Sequence, residues 1–420
     1  GVSSAASDVY KRQQQRTAPE RFWPVHVIRE EPVMKALTWQ GRGTIRCETV
    51  PDPQIQDGRD AIIKVTACAI CGSDLHLMGG YVPTMEKGDV LGHECMGEVV
   101  EVGKENTALK VGDRIVVPFT ICCGACRQCQ WGNWSLCERT NPNGKMQAEQ
   151  FGYATAGLFG YSHITGGFPG GQAEYLRIPY ADVTHLKVPE DLSDEQVLFL
   201  SDIFPTAYMA ADHCDIKGGE TIAVWGCGPV GILTIKSCFL LGAARVIAID
   251  TVPERLAMAR EAGAEVIDYA EGKVQESILE LTKGLGPDAV IEAVGMESHG
   301  ADTLVQKVAS AVMSKTISME RAFALNQAIL ACRPGGIVSV PGVYVAFDPV
   351  AMGAFMNKGL TMRTGQTHMH RYMKPLLERI RKGEIDPSFI ITHRSTSLED
   401  GPSLYLSLIH ISEPTRRRGI

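Results

Sequence analysis

The stretch "TIAVWGCGPVGILTIKSCFLLGAARVIAID", residues 221–250, decides the fold. A short apolar run ("TIAVWG") leads into a longer one ("PVGILTIKSCFLLGA") and then into a second short run ("RVIAID"). Short, long, short reads as strand, helix and parallel strand. At the first junction Gly226, Gly228 and Gly231 form G-x-G-x-x-G. The three glycines allow a tight turn, close approach of a pyrophosphate to the backbone, and close packing of helix on strand. Pro229 suits a first helical turn, where no N–H is required. With Val230 it opens a helix whose free N–H groups present partial positive charge to phosphates. Asp250 ends the second strand 19 residues after Gly231, near the offset of about 20 at which an acid meets the ribose hydroxyls. It repels a 2′-phosphate, so NAD is expected rather than NADP; Arg255, close by, is the residue that can tolerate one. The competing reading of Asp250 is a cap for the helix that follows.

Outward from this unit the alternation continues. "PERLAMAREAG", "DAVIEAVG", "AFALNQAILACR" and "GGIVSVPG" extend it over residues 191–344, which predicts a doubly wound parallel sheet covered by helices. Residues 34–190 read differently. "AIIKVTAC", "MGEVVEVG", "DRIVVPF" and "AEYLRIP" are short β-rich runs broken by Gly, Pro and Asp, as in a small barrel-like unit. Residues 345–402 are mixed and are expected to return to that first domain. The ends look foreign to the fold: 1–33 and 403–420 are expected to lie outside it, with the folded chain starting at Met34. The insert of residues 296–320, "MESHGADTLVQKVASAVMSKTISME", fits neither pattern.

Composition narrows the function. The chain of 420 residues is 45% hydrophobic and 21% charged, with a net charge of -7. That is ordinary for a globular protein and argues against nucleic acid as a partner. No apolar run reaches the roughly 18 residues of a membrane span. Thirteen cysteines, an odd number, without a secretory signal favour reduced thiols and metal ligands in a cytoplasmic setting over a disulfide framework.

Five of those cysteines lie in "CCGACRQCQWGNWSLC", residues 122–137. Cys123, Cys126, Cys129 and Cys137 give C-x2-C-x2-C-x7-C, a donor set for tetrahedral zinc with no open position, hence a structural site. A register with Cys122 in place of Cys123 is the alternative. A second, dispersed group comprises Cys71, Ser73, Asp74 and His76 in "CGSDLH" and His93 and Glu94 in "GHECMGEVVEVG". Cys95, Cys227 and Cys238 read as small apolar fillers, and the Met and aromatic residues of 351–362 as packing. His368 and His370 alternate as on one face of a strand and are assigned to the cofactor side or an interface.

"GHECMGEVVEVG" fits G-H-E-x-x-G-x5-G of the zinc-dependent medium-chain alcohol dehydrogenases. "CGSDLH", the four-cysteine loop, "VGDRIVV" and the dinucleotide fingerprint appear with it in that family's order. The resemblance covers residues 34–402 and is nearest to the formaldehyde dehydrogenase branch, through "GGQAEYLRIPYADV", "LSDIFPTAYMA" and "VPGVYVAFDP". It implies an α/β protein with a GroES-like β-rich catalytic domain and a Rossmann domain. It implies a catalytic zinc held by Cys71, His93 and Asp202, with Asp74 orienting His93 and Glu94 as a reserve ligand. Asp202 otherwise reads as a helix N-cap before "IFPTAYMAA". Three protein ligands leave one position for substrate, where the metal acts as a Lewis acid while hydride passes to the nicotinamide. By resemblance Ser73 takes the alcohol proton and His76 passes it on.

The expected protein is therefore an NAD-dependent zinc dehydrogenase of small alcohols or hydrated aldehydes, formaldehyde foremost, with two zinc ions per chain, forming a dimer or tetramer. A polyol or threonine-type dehydrogenase and an aldehyde dismutase share the same machinery. A non-catalytic NAD(P)-binding protein on this scaffold is the rival from another class.

Overall fold

Alternation of buried and exposed side chains builds the first lobe. In β4 (Cys95–Val102) Val99 is buried between exposed Glu98 and Val100, the pattern of a strand with one wet face. A computed structural model describes residues 33–295, 322–344 and 350–412; the insert of 296–320 lies outside them. The lobe opens with the antiparallel hairpin β1 (Val33–Trp39) and β2 (Ile45–Pro51). β3 (Ala61–Cys68), β4, β5 (Arg114–Val117), β8 (Tyr175–Ile178) and β9 (Leu186–Lys187) form an antiparallel sheet of order β8-β3-β4-β5-β9, and β6 (Thr120–Ile121) pairs with β7 (Gly157–Leu158). Two register shifts in the β3–β4 pair, at Ile62/Ile63 and Val65/Ala67, bend the sheet. Ile63, Val99, Ile115, Leu176 and Ile178 fill its core. β4 starts two residues after His93, so the sheet itself delivers that imidazole.

The second lobe is parallel. β10 (Thr221–Trp225), β11 (Arg245–Asp250), β12 (Glu265–Asp268), β13 (Ala289–Glu292), β14 (Ile337–Val340) and β15 (Thr361–Thr364) lie in the order β12-β11-β10-β13-β14-β15. β13 is buried at every residue, as a sheet covered on both faces demands. Strand order reverses at β10, and the crevice outside the carboxyl ends of the strands at such a switch point is where α/β sheets bind ligands. This is an α/β protein with a GroES-like β-rich domain and a Rossmann sheet.

Four expectations need correction. The parallel sheet does not end at residue 344: β15 pairs with β14 from Ile337↔Thr361 to Val340↔Thr364. Its four residues, only one of them partly buried, carry no apolar signal. Residues 403–408 belong to the fold, because the helix Gly401–Ser412 buries Tyr405 completely among Leu37, Ile45 and Leu77. His368 and His370 stand at the start of the helix Met369–Arg381, where a spacing of two does not share a face. Met352 and Met356 are exposed rather than packed.

Helix Ile203–Asp212 joins the lobes. Its Phe204 is fully buried in the cluster that also holds Met96 and Val116 of the first lobe and Ile232 and Leu233 of the second. Phe204→Ala should cost about 3–5 kcal/mol and lower the melting temperature by several degrees, whereas truncating exposed Leu285 should change stability by less than about 0.5 kcal/mol; differential scanning calorimetry checks both.

Candidate active site

Cys71, His93 and Asp202 come from three separate elements and converge: their donor atoms all lie within 4.8 Å of one another. Cys71 precedes the helix Gly72–Met78, His93 leads into β4, and Asp202 stands at the start of Ile203–Asp212. Asp202 occupies the N-cap position, yet its side chain makes no capping bond. It turns away: Oδ2 lies 3.3 Å from His93 Nε2 and 3.8 Å from Cys71 Sγ, while Oδ1 accepts from Thr206 Oγ1 at 2.9 Å. Thr206 is in turn 2.8 Å from Thr367 Oγ1.

Behind the triad stands Asp74, fully buried. Its Oδ2 accepts from the Cys71 N–H at 3.0 Å, and its Oδ1 lies 3.2 Å from His93 Nδ1. Ser73 Oγ is 3.1 Å from His93 Nε2. Phe119 and Tyr161 stand edge-on to the imidazole, each with its centroid 6.3 Å away. His76, which the sequence permits as a surface residue, is buried.

The charges show what this arrangement can hold. Burial, followed by the Glu94 carboxylate, pushes the Cys71 thiol up to about 12. Burial and then Asp202 push Glu94 up to about 8. Burial disfavours imidazolium, but the Asp74 and Asp202 carboxylates outweigh it and carry His93 well above its ordinary value. One thiol, three carboxylates and a single imidazole thus crowd a buried point, and Glu94 Oε1 has no hydrogen-bond partner. Unpaired buried charge is costly, and a divalent cation inverts this local logic by favouring thiolate and carboxylate. The donor set fits zinc: sulfur, nitrogen and oxygen, with room for a fourth ligand.

The four-cysteine group is compact as well. Cys123, Cys126, Cys129 and Cys137 are each 2% exposed and meet the same 4.8 Å test. Backbone N–H groups of Cys126, Cys129 and Glu138 point at their sulfurs at 3.3–3.5 Å. Burial opposes ionisation of Cys126, but the N–H groups of Cys129 and Glu138 prevail and bring it down to about 7. Cys122 stands outside this group: its Sγ points to Trp134 O (3.5 Å) and His370 Nδ1 (3.8 Å). His370 stacks on Trp134, and His368 Nδ1 lies 2.9 Å from Ser135 Oγ. The two histidines therefore tie the cysteine loop to the helix Met369–Arg381, a contact between distant segments that the sequence does not show.

At the dinucleotide motif each glycine has a visible reason. Gly226 has φ +89°, and a Cβ on Gly231 would sit 1.8 Å from Gly226 O. A Cβ on Gly228 would meet nothing within 4 Å, leaving that turn open to a ligand. Gly228 caps the helix Pro229–Leu240, with Pro229 in its first turn and Val230 following. Asp250 is not a helix cap; Val252 holds that position. Asp250 Oδ2 accepts from the Cys227 N–H at 2.7 Å and its Oδ1 from the N–H groups of Thr251 (2.7 Å) and Val252 (2.9 Å), so it braces the glycine turn and the approach to the next helix, and only Oδ2 keeps a lone pair for a hydroxyl donor. Arg255 Nη1 is 3.9 Å from that carboxylate. These features fit a dinucleotide.

Residues 57–190 match the family model of the alcohol dehydrogenase GroES-like domain, and residues 229–313 match that of the zinc-binding dehydrogenases. An uncharacterised zinc-type alcohol dehydrogenase-like protein of Bacillus subtilis is 41% identical, over 86% of this chain and 93% of the relative. A glutathione-independent formaldehyde dehydrogenase of Pseudomonas aeruginosa is 34% identical, over 88% of this chain and 94% of its own. Among solved structures, the alcohol dehydrogenase of Thermus sp. ATN1 superposes with a TM-score of 0.73 at 34% identity, covering 89% of this chain and 96% of that one.

Cys71 and His93 must shed protons to bind a cation, so zinc affinity at the triad should fall as pH falls, by about tenfold per unit for each proton displaced. Titration of the metal-stripped chain at several pH values measures this slope.

Proposed function

The chain belongs to the zinc-binding alcohol dehydrogenase family, and from that premise we propose that it oxidises small alcohols or hydrated aldehydes, formaldehyde foremost, with NAD as acceptor and two zinc ions per chain. The convergence of Cys71, His93 and Asp202 on one buried point carries this reading. When bound, the divalent ion polarises the substrate oxygen and the dinucleotide accepts the hydride.

This chain's residues supply the rest. Cys71, His93 and Asp202 hold the ion; Cys123, Cys126, Cys129 and Cys137 hold the second, away from the chemistry. Ser73, beside His93 Nε2, holds the substrate's hydroxyl proton, and His76 takes it onward. Phe119 and Tyr161 flank His93 and keep water from the buried donors. Gly226, Gly228 and Gly231 let the backbone meet the pyrophosphate, and Asp250 favours ribose hydroxyls over a 2′-phosphate. Formaldehyde is favoured by the name of the Pseudomonas aeruginosa relative. All thirteen cysteines are free of disulfides, which supports a reducing, cytoplasmic setting; a homo-oligomer completes the proposal.

Purified chain assayed for NADH formation across alcohols and aldehydes should respond most strongly to formaldehyde, with NAD preferred to NADP. Cys71→Ser and His93→Ala should each lower turnover by at least about a hundredfold while NADH still binds, as its fluorescence reports. Full activity in either variant would refute the metal assignment. Asp250→Ser should narrow the gap between NAD and NADP in kcat/KM.

A further inference from the structure

Behind the metal triad a second chain of buried polar groups runs to the far end of the sequence. Tyr405, on the helix Gly401–Ser412, donates its hydroxyl proton to Gln172 Oε1 at 2.8 Å. Gln172 Nε2 donates to Asp74 Oδ2 at 3.1 Å and to Ala69 O at 3.0 Å. Asp74 Oδ2 also accepts the Cys71 N–H, and Asp74 Oδ1 faces His93 Nδ1. Tyr405, Gln172 and Asp74 are each 0% exposed.

Hydrogen-bond chemistry leaves this chain one direction. A carboxylate and a backbone carbonyl only accept, so the Gln172 amide must turn its NH2 toward Asp74 and Ala69. Its carbonyl then points the other way and needs a donor, and the phenol of Tyr405 is the donor present. Remove that hydroxyl and a buried carbonyl is left bare, at a cost the amide relieves by moving. Movement is felt at the metal ligands, because Gln172 packs against the segment that carries His93. A Cβ on Gly92 would lie 2.4 Å from Gln172 Cγ, and the Gln172 N–H donates to Leu91 O.

We propose that Tyr405 is a positioning residue for the metal site: through Gln172 it fixes the Asp74 carboxylate, and through Asp74 the backbone of Cys71 and the ring of His93. This rests on reading Cys71, His93 and Asp202 as a metal site. Asp74 touches two of the three ligands, so a rotation of its carboxylate disturbs both together. The four-cysteine site shares no bond with this chain and serves as an internal control.

The test uses the full chain loaded with zinc and challenged with a chelator, the release of each ion being followed separately. In Tyr405→Phe, which keeps the ring, the triad ion should leave about tenfold faster while the four-cysteine ion leaves at the wild-type rate. Gln172→Met cuts the chain one link nearer the metal and should act in the same direction. Cobalt(II) placed at the triad should show an altered visible spectrum in both variants. Ile45→Ala, a packing change in the cluster that encloses Tyr405, should lower thermal stability without changing either release rate. Wild-type release in Tyr405→Phe, or acceleration by Ile45→Ala equal to that of Tyr405→Phe, overturns the inference alone. A wild-type chain that retains a single ion, at the four cysteines, overturns the triad reading and the inference with it.

Discussion

The architecture depends on one carboxylate turning the wrong way. Asp202 stands where a helix ordinarily takes a side-chain cap, yet its Oδ2 leaves that helix to meet His93 and Cys71 while Oδ1 accepts from Thr206. A cap is worth about 1 kcal/mol, a modest sum to forgo against placing an oxygen donor beside a sulfur and a nitrogen. The helix that gives up its cap is the one that joins the lobes, so Cys71 and the parallel sheet pack against a single buried cluster. The β-rich lobe contributes two donors from strand and helix ends, and the connecting helix contributes the third. Neither lobe makes the triad by itself.

The two candidate donor groups differ in their surroundings. At the four cysteines, backbone N–H groups aim at the sulfurs of Cys123 and Cys126 and bring Cys126 down to about 7, while the Cys122 side chain and burial push Cys129 up and burial pushes Cys137 up to about 12. At the triad burial and the Glu94 carboxylate oppose ionisation of the Cys71 thiol, whereas Asp74 and Asp202 favour the protonated ring of His93. A closed donor set and an open one can thus coexist in one chain without competing for the same coordination.

Local patterns were legible in the sequence where the physics is local. The glycine fingerprint, the cysteine spacing and the acid at the end of β11 each depend on residues close together in the chain, and each emerged in its expected element. Asp202 was legible only through resemblance, because nothing near it predicts that its side chain will abandon the cap. β15 was missed since "TMRT" is a partly exposed edge strand whose pairing partner, not its composition, makes it a strand. Tyr405 was excluded with the tail, although its burial is among the most complete of any large side chain described. Contacts such as His370 with Trp134, or Tyr405 with Gln172, join residues more than two hundred positions apart; one sequence carries no periodic signal for them. Gly92 is the instructive middle case. The motif marks it as glycine, but the reason, Gln172 lying where its Cβ would be, exists only in three dimensions.

The bond from Tyr405 to Gln172 spans 233 residues, which gives the molecule a timetable. During synthesis at roughly 5–20 residues per second, Gln172 leaves the ribosome on the order of 10–50 s before the tyrosine that completes its chain, and Asp74 earlier still. Until then the nascent first lobe carries its sulfur and imidazole without the last brace. The helix Gly401–Ser412 is thus a late piece to arrive, and the buried bonds behind Asp74 close only after the rest of the first lobe has been made.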